Sequence, residues 1–186
     1  MAEKGELRLF LGIPIPTQMA ESIESFQISQ PTQEGIKWVP KANWHITVYF
    51  FGGVAEEMLE NLQSLLELAI REQSAFELDF DAYSWGPSSS SKRMIWARFI
   101  KTESFKLLVQ RIHQLYVQID PHKQMRKSPL PHITLARLKN LQFHNEIDLS
   151  HQIIDKKLSV DQLVLWKSEL LPKGAEYKLI RRFWLS

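Results

Sequence analysis

The feature that most limits what this chain can fold into is a repeated order of local signals. An apolar, β-rich run is followed by a helix-compatible stretch and then by a strand that opens His-x-Thr, and the order occurs twice. The first copy starts at Leu7-Arg8-Leu9-Phe10-Leu11-Gly12-Ile13 and reaches Trp44-His45-Ile46-Thr47-Val48-Tyr49-Phe50-Phe51, closed by Gly52-Gly53. The second starts near Arg93 and reaches Pro131-His132-Ile133-Thr134-Leu135-Ala136-Arg137. His45 lies 38 residues beyond the start of its unit at Leu7, and His132 lies 39 beyond Arg93. Helices are predicted after Thr17 through about Ser29, over 55–72 with a stripe of Leu59, Leu62, Leu65, Leu66 and Ala69, and after Thr102 with Phe105, Leu108, Ile112, Leu115 and Ile119 inward. Thr17 and Thr102 are the expected N-caps. Further strands are expected at 76–85, 158–166 and 176–185, the last two joined through Pro172 and Gly174. Strands interleaved with helices and closing on a hairpin predict an α+β protein, one domain over 1–186 built of two similar lobes, roughly 1–90 and 91–186.

Alternate residues of a strand point to one face. His45 and Thr47 therefore share a face in front of Ile46 and Val48, and His132 and Thr134 share one in front of Ile133 and Leu135. A twofold relation between the lobes would turn these faces toward each other and set two imidazoles on opposite sides of one bound group. Two imidazoles about one phosphorus suit cleavage of a cyclic phosphodiester. A neutral one takes a proton from water and a protonated one supplies the leaving ribose oxygen, and a side chain with a pKa near 6.5 serves both roles. Threonine hydroxyls and a guanidinium can hold the non-bridging oxygens. The scheme needs no metal and no cofactor. A single His-x-Thr fits a core-edge histidine satisfied by a hydroxyl; two copies at matching places are a far more specific signal. Two histidines also provide only half the ligands of a usual zinc site.

Composition removes other chemistries. No cysteine is present, so disulfides, thiol nucleophiles and Fe–S clusters are excluded, in keeping with a reducing compartment. The 23 Lys and Arg against 21 Asp and Glu leave a net charge of +2, too small for a coat on long nucleic acid. The first apolar run is short and is interrupted by Pro14 and Pro16, and no later one approaches membrane-spanning length. A soluble, cytoplasmic protein that makes no membrane contact is expected.

Taken together, these residues resemble the two-histidine (2H) phosphoesterases, and within them the LigT-like RNA 2′,3′-cyclic phosphodiesterases, also called 2′-5′ RNA ligases. The resemblance spans nearly the whole chain. It rests on both His-x-Thr segments, Arg8-Leu9-Phe10-Leu11-Gly12-Ile13-Pro14, Lys37-Trp38-Val39-Pro40 with Asn43, Phe51-Gly52, and the closing Ser168, Leu170, Pro172, Gly174 and Tyr177. It implies a bilobal fold with antiparallel sheets around a central cleft and helices outside. It further implies hydrolysis of RNA-terminal 2′,3′-cyclic phosphate to a 2′-phosphomonoester, with His45 as proton donor, His132 as proton acceptor, and Thr47, Thr134 and Arg137 binding the phosphate. Tyr49 stands where many relatives carry a basic residue. The partners expected are RNA with 2′,3′-cyclic phosphate ends or small cyclic nucleotides, acted on by a monomer. The alternatives are 2′-5′ ligation of tRNA half-molecules, and a non-catalytic module that holds cyclic-phosphate RNA ends.

Arg137 poses a geometric problem. It lies five residues after His132, an odd offset that a regular strand would aim at the opposite face, so the strand must bulge or end around Ala136 for it to reach the cleft. The residue pattern alone leaves it either there or in solvent. The basic stretch 121–128 either steers RNA phosphates or is a solvated loop. Trp38, Trp44 and Tyr49 are candidates to stack on a terminal base, with Trp44 expected in the core. His113, His144 and His151 are expected at the surface, and 88–91 as a linker.

Overall fold

The computed structural model describes residues 5–31, 34–88, 92–124, 129–139, 146–151, 156–172 and 174–186. Its elements in chain order are β1 (Glu6–Pro14), α1 (Thr17–Ser29), β2 (Ile36–Trp38), β3 (His45–Ala55), α2 (Leu59–Ile70), β4 (Phe76–Gly86), β5 (Met94–Phe99), α3 (Glu103–Tyr116), β6 (His132–Leu138), β7 (Lys157–Val160), β8 (Gln162–Leu171) and β9 (Gly174–Trp184). The strands form one curled antiparallel sheet in the order β7-β4-β5-β6-β3-β1-β8-β9, with β2 added beside β6.

At the centre of this order β3 and β6 run antiparallel, and the aligned pair is Ile46 with Ile133. These are the middle residues of the two His-x-Thr segments. The same register sets His45 opposite Thr134 and Thr47 opposite His132, so the twofold relation passes between the two isoleucines. Outward from it the halves correspond: β1 lies beside β3 as β5 lies beside β6. The halves of the sheet cut across the middle of the chain, because β4 sits beside β5 whereas β8 and β9 sit beyond β1.

Each helix closes the core on one face of the sheet. Met19, Ala20, Ile23 and Phe26 of α1 are buried, and the Phe26 ring stacks on Tyr83 of β4 at 3.6 Å. α3 buries Phe105, Leu108, Val109, Ile112 and Tyr116, the last against Phe51 of β3 at 4.9 Å. α2 adds Leu62, Leu66, Ala69 and Ile70 beside α3. Full burial of side chains of this size contributes about 1.5–3 kcal/mol each, which is why the stripes legible in the sequence become the inner faces.

Several local expectations change. Thr102 caps α3, its side chain accepting from the Phe105 amide, whereas Thr17 is already the first helical residue of α1 and caps nothing. The run 158–166 divides at Asp161 into β7, which pairs with β4, and β8, which pairs with β1 at the other side of the sheet. β2 is a short strand beside β6 that the sequence pattern does not announce. His113 is no free surface group, since its Nδ1 meets the Tyr49 hydroxyl at 2.8 Å. His151 is half-buried, its ring 5.9 Å from that of Phe26. His144, 89–91 and 125–128 lie outside the described residues.

Candidate active site

A cleft of about 860 Å³ opens on the sheet face away from the helices, over the β3–β6 pair. His45, Thr47, His132, Thr134 and Arg137 all line it, together with residues of β1, β2, β8 and β9. The pairing register explains the first four. Cross-strand neighbours stand ~5 Å apart and diagonal ones ~7–8 Å, so His45 and His132 occupy one diagonal of a small square and Thr47 and Thr134 the other. Ile46 and Ile133 point the opposite way and are fully buried.

Arg137 joins them through a bulge. In the β5–β6 ladder Ile95 pairs with Ala136 but Trp96 pairs with Thr134, so Leu135 has no partner of its own. The extra residue reverses the alternation: Leu135 and Ala136 are both buried and Arg137 returns to the cleft face. β3 bulges at the matching place. Leu11 pairs with Tyr49 and Gly12 with Thr47, leaving Val48 over. Tyr49 therefore turns inward to His113, and the residue that faces the cleft five places after His45 is Phe50.

The two imidazoles are held alike. His45 Nδ1 lies 2.8 Å from the Asn43 carbonyl and His132 Nδ1 lies 2.7 Å from the Leu130 carbonyl, each two residues upstream. A carbonyl only accepts, so each Nδ1 carries the hydrogen and each Nε2 is left as the titrating atom. His45 Nε2 is 3.1 Å from Thr47 Oγ1, which donates to it while the ring is neutral.

Each imidazole also has an indole beside it that a glycine admits, tilted and at a distance for His45 and stacked for His132. A Cβ on Gly12 would come within 2.7 Å of the Ile46 carbonyl and 3.1 Å of the Trp166 ring, and Trp166 lies 5.6 Å from His45 between ring centres. A Cβ on Gly86 would overlap Trp96, whose ring stacks on His132 at 3.8 Å. Phe10 and Tyr177 complete the enclosure of His45 at 4.7 and 5.2 Å. Burial, reinforced by the nearby His132 and opposed by the Asn43 hydrogen bond, lowers the His45 pKa to about 4. Burial also lowers that of His132, against the Leu130 bond. Both rings are thus neutral near pH 7 while the cleft holds no anion.

The wall opposite Phe50 is built by β2 and the β8–β9 hairpin. Asn43 Nδ2 donates to the Ala175 carbonyl at 2.7 Å, tying the hairpin to the entry of β3. Trp38 lines the cleft from β2. Trp44 is in the core, its indole N–H bonded to the Val39 carbonyl at 3.0 Å. Phe10, Phe50, Tyr177 and Arg8 are cleft residues that strand alternation could have flagged only with the neighbouring strands known. Among the described residues no cluster of three or more His, Cys, Asp or Glu is placed to hold a metal ion. No helix among them is long and apolar enough to cross a membrane.

A curled antiparallel sheet with two matched His-x-Thr segments facing one cleft is the architecture of a two-histidine phosphoesterase. Comparison with known proteins agrees. The family model of the 2′-5′ RNA ligase superfamily matches residues 15–170, and the chain belongs to that superfamily as an enzyme. It is 29% identical over 184 residues to a Methanocaldococcus jannaschii protein named RNA 2′,3′-cyclic phosphodiesterase, covering 95% of this chain and all of the relative. Its fold superposes on the crystal structure of a Thermus thermophilus protein with a TM-score of 0.81 at 25% identity, over 96% of this chain and 98% of the other. E. coli LigT, crystallised with 3′-AMP, shares the fold at a TM-score of 0.78 and 22% identity, covering 98% and 99%.

Proposed function

We propose that the protein hydrolyses RNA-terminal 2′,3′-cyclic phosphate to a 2′-phosphomonoester, with His45 and His132 as the acid–base pair. The observation that carries this is the Ile46–Ile133 pairing, which turns both His-x-Thr segments to one face; the names of the similar proteins support the substrate.

In this reading the cyclic phosphate sits within the square of His45, Thr47, His132 and Thr134. The Thr hydroxyls donate to its non-bridging oxygens and Arg137 offers its guanidinium fork. His132 Nε2, neutral, takes a proton from water as the water oxygen bonds to phosphorus. The P–O3′ bond breaks, and O3′ receives its proton from His45 Nε2. The proton on His45 arrives with the substrate, because a bound phosphodiester anion opposes the desolvation that keeps the empty site neutral. A proton passed from His132 back to His45 through solvent resets the site.

The cleft is lined within one chain, so a monomer of one domain with two related halves suffices, and the absence of cysteine suits it to the cytoplasm. No metal takes part in the scheme. His45→Ala and His132→Ala should each lower turnover of an oligonucleotide 2′,3′-cyclic phosphate by a factor of ~10² or more, with circular dichroism unchanged and no effect of chelators on the wild type. Near-normal turnover in both variants would overturn the assignment. By microscopic reversibility the same groups would let a ribose hydroxyl replace water, and identification of products separates hydrolysis from 2′-5′ joining.

A further inference from the structure

The twofold correspondence of the motifs fails at their fifth residue. Where β6 turns Arg137 to the cleft, β3 turns Phe50, which is 41% exposed. A guanidinium is nonetheless present on that side, contributed by the neighbouring strand. Arg8 of β1 lies over the Phe50 ring at 4.6 Å and lines the cleft. It makes no ion pair among the described residues. Both Arg8 and Arg137 are near enough to Tyr177 to oppose the upward push that burial gives its phenol. The cleft thus carries two guanidiniums where one terminal phosphate needs one.

The position of Arg8 follows from strand parity. Leu9 and Leu11 are fully buried, so Arg8 and Phe10 share the cleft face. Phe10 packs on His45, and Arg8 stands two residues further along β1, a displacement of ~7 Å. Gly12 pairs with Thr47 and Arg8 with Gly53, so Arg8 stands beyond the square of His45, Thr47, His132 and Thr134, on the Phe50 side. The Arg8 guanidinium lies over the Phe50 ring, and a guanidinium so placed can present its N–H fork to a phosphate. A cleft of about 860 Å³ is near the upper end of the ~300–1,000 Å³ usual for small-ligand pockets, with space beyond one nucleotide. Lys123 Nζ, bonded to the Phe51 carbonyl, lies 5.9 Å from the centre of the Phe50 ring, so positive charge continues along this side.

The geometry points to a second anion subsite: Arg8, placed over Phe50, takes the phosphodiester that precedes the terminal nucleotide, so that the enzyme prefers a strand end over a cyclic mononucleotide. This rests on the phosphodiesterase reading for its substrate. The contact exists only when a second phosphate is present, so it acts on KM for the strand and not on the chemical step.

The test compares wild type with Arg8→Gln on a dinucleotide 2′,3′-cyclic phosphate and on 2′,3′-cyclic AMP. A KM raised ~10-fold or more for the dinucleotide, with its kcat and both constants for cyclic AMP within twofold of wild type, is the expected result. The slope of log(kcat/KM) against log[salt] for the dinucleotide should flatten by ~0.7, the single-strand value for one lost phosphate contact. Equal losses on both substrates would overturn the proposal by placing Arg8 at the terminal phosphate, and no loss on either would overturn it as well. Binding of a 2′-phosphorylated dinucleotide against 2′-AMP gives the same comparison without turnover. Absence of any wild-type hydrolysis would therefore remove the phosphodiesterase reading while leaving Arg8 scored: weaker binding of the dinucleotide alone in Arg8→Gln supports the subsite, and unchanged binding refutes it.

Discussion

His45 should make the stability of this protein depend on pH across a window set by its enclosure. Phe10, Trp166 and Tyr177 surround the ring with centroids 4.7–5.6 Å away, so protonation creates a charge among aromatic rings with only the Asn43 carbonyl and Thr47 hydroxyl to receive it. The folded-state pKa is about 4 against an ordinary value of 6.5. Between those limits the unfolded chain binds more protons than the folded one, so stability is full above ~6.5 and falls as pH drops toward 4. At ~1.36 kcal/mol per pKa unit the complete loss is about 3 kcal/mol, and about 2 kcal/mol of it has accrued by pH 5.

Urea unfolding of wild type and His45→Gln at pH 7.5 and pH 5.0 isolates this contribution. His132 and the carboxylates titrate in both proteins and cancel in the difference. Wild type should lose about 2 kcal/mol more than the variant between the two pH values, at equal m. Inorganic phosphate should narrow the gap, because an anion in the cleft stabilises the imidazolium. Parallel pH dependences in the two proteins would refute the reasoning: the enclosure would then not be desolvating His45.

Three further outcomes follow from packing. Gly12→Ala places a methyl 2.7 Å from the Ile46 carbonyl and 3.4 Å from the His45 ring, and the forced shift should cost about 1–3 kcal/mol in unfolding and lower turnover by displacing His45. Trp96→Leu removes the ring stacked at 3.8 Å on His132, and the imidazole titration followed by NMR should move upward toward 6.5. Thr102→Ala removes the cap on the Phe105 amide and should cost about 1 kcal/mol in chemical denaturation with kcat unchanged, since α3 lies on the other side of the sheet from the cleft.

Most of the architecture was legible because it follows from periodicity. The apolar stripes of α2 and α3 and the His-x-Thr strands each bury an apolar face, and that preference is written locally. What escaped was decided by partners. β2 is three residues of mixed polarity that become a strand only by lying against Ala136–Leu138 of β6. The 158–166 run looks continuous, and only the separate edges offered by β4 and β1 divide it at Asp161. Arg8 and Phe50 were invisible as a pair because they sit on different strands.

The two bulges show how far strand parity can be carried. An unbulged β6 would turn Arg137 into the helix-facing core, burying an unpaired guanidinium at a cost of several kcal/mol. Inserting Leu135 instead buries two adjacent apolar residues and returns the charge to the cleft. The order His-Ile-Thr-Leu-Ala-Arg therefore encodes its own bulge, through an apolar pair followed by a residue that cannot be buried. The matching His-Ile-Thr-Val-Tyr-Phe bulges at Val48 without that final signal. Phe50 could be buried or exposed with little penalty in sequence terms, and only the ladder with β1 fixes its direction. The same asymmetry separates the two sides of the cleft: one carries its guanidinium on the motif strand itself, and the other exposes a ring on which the Arg8 of a neighbouring strand lies.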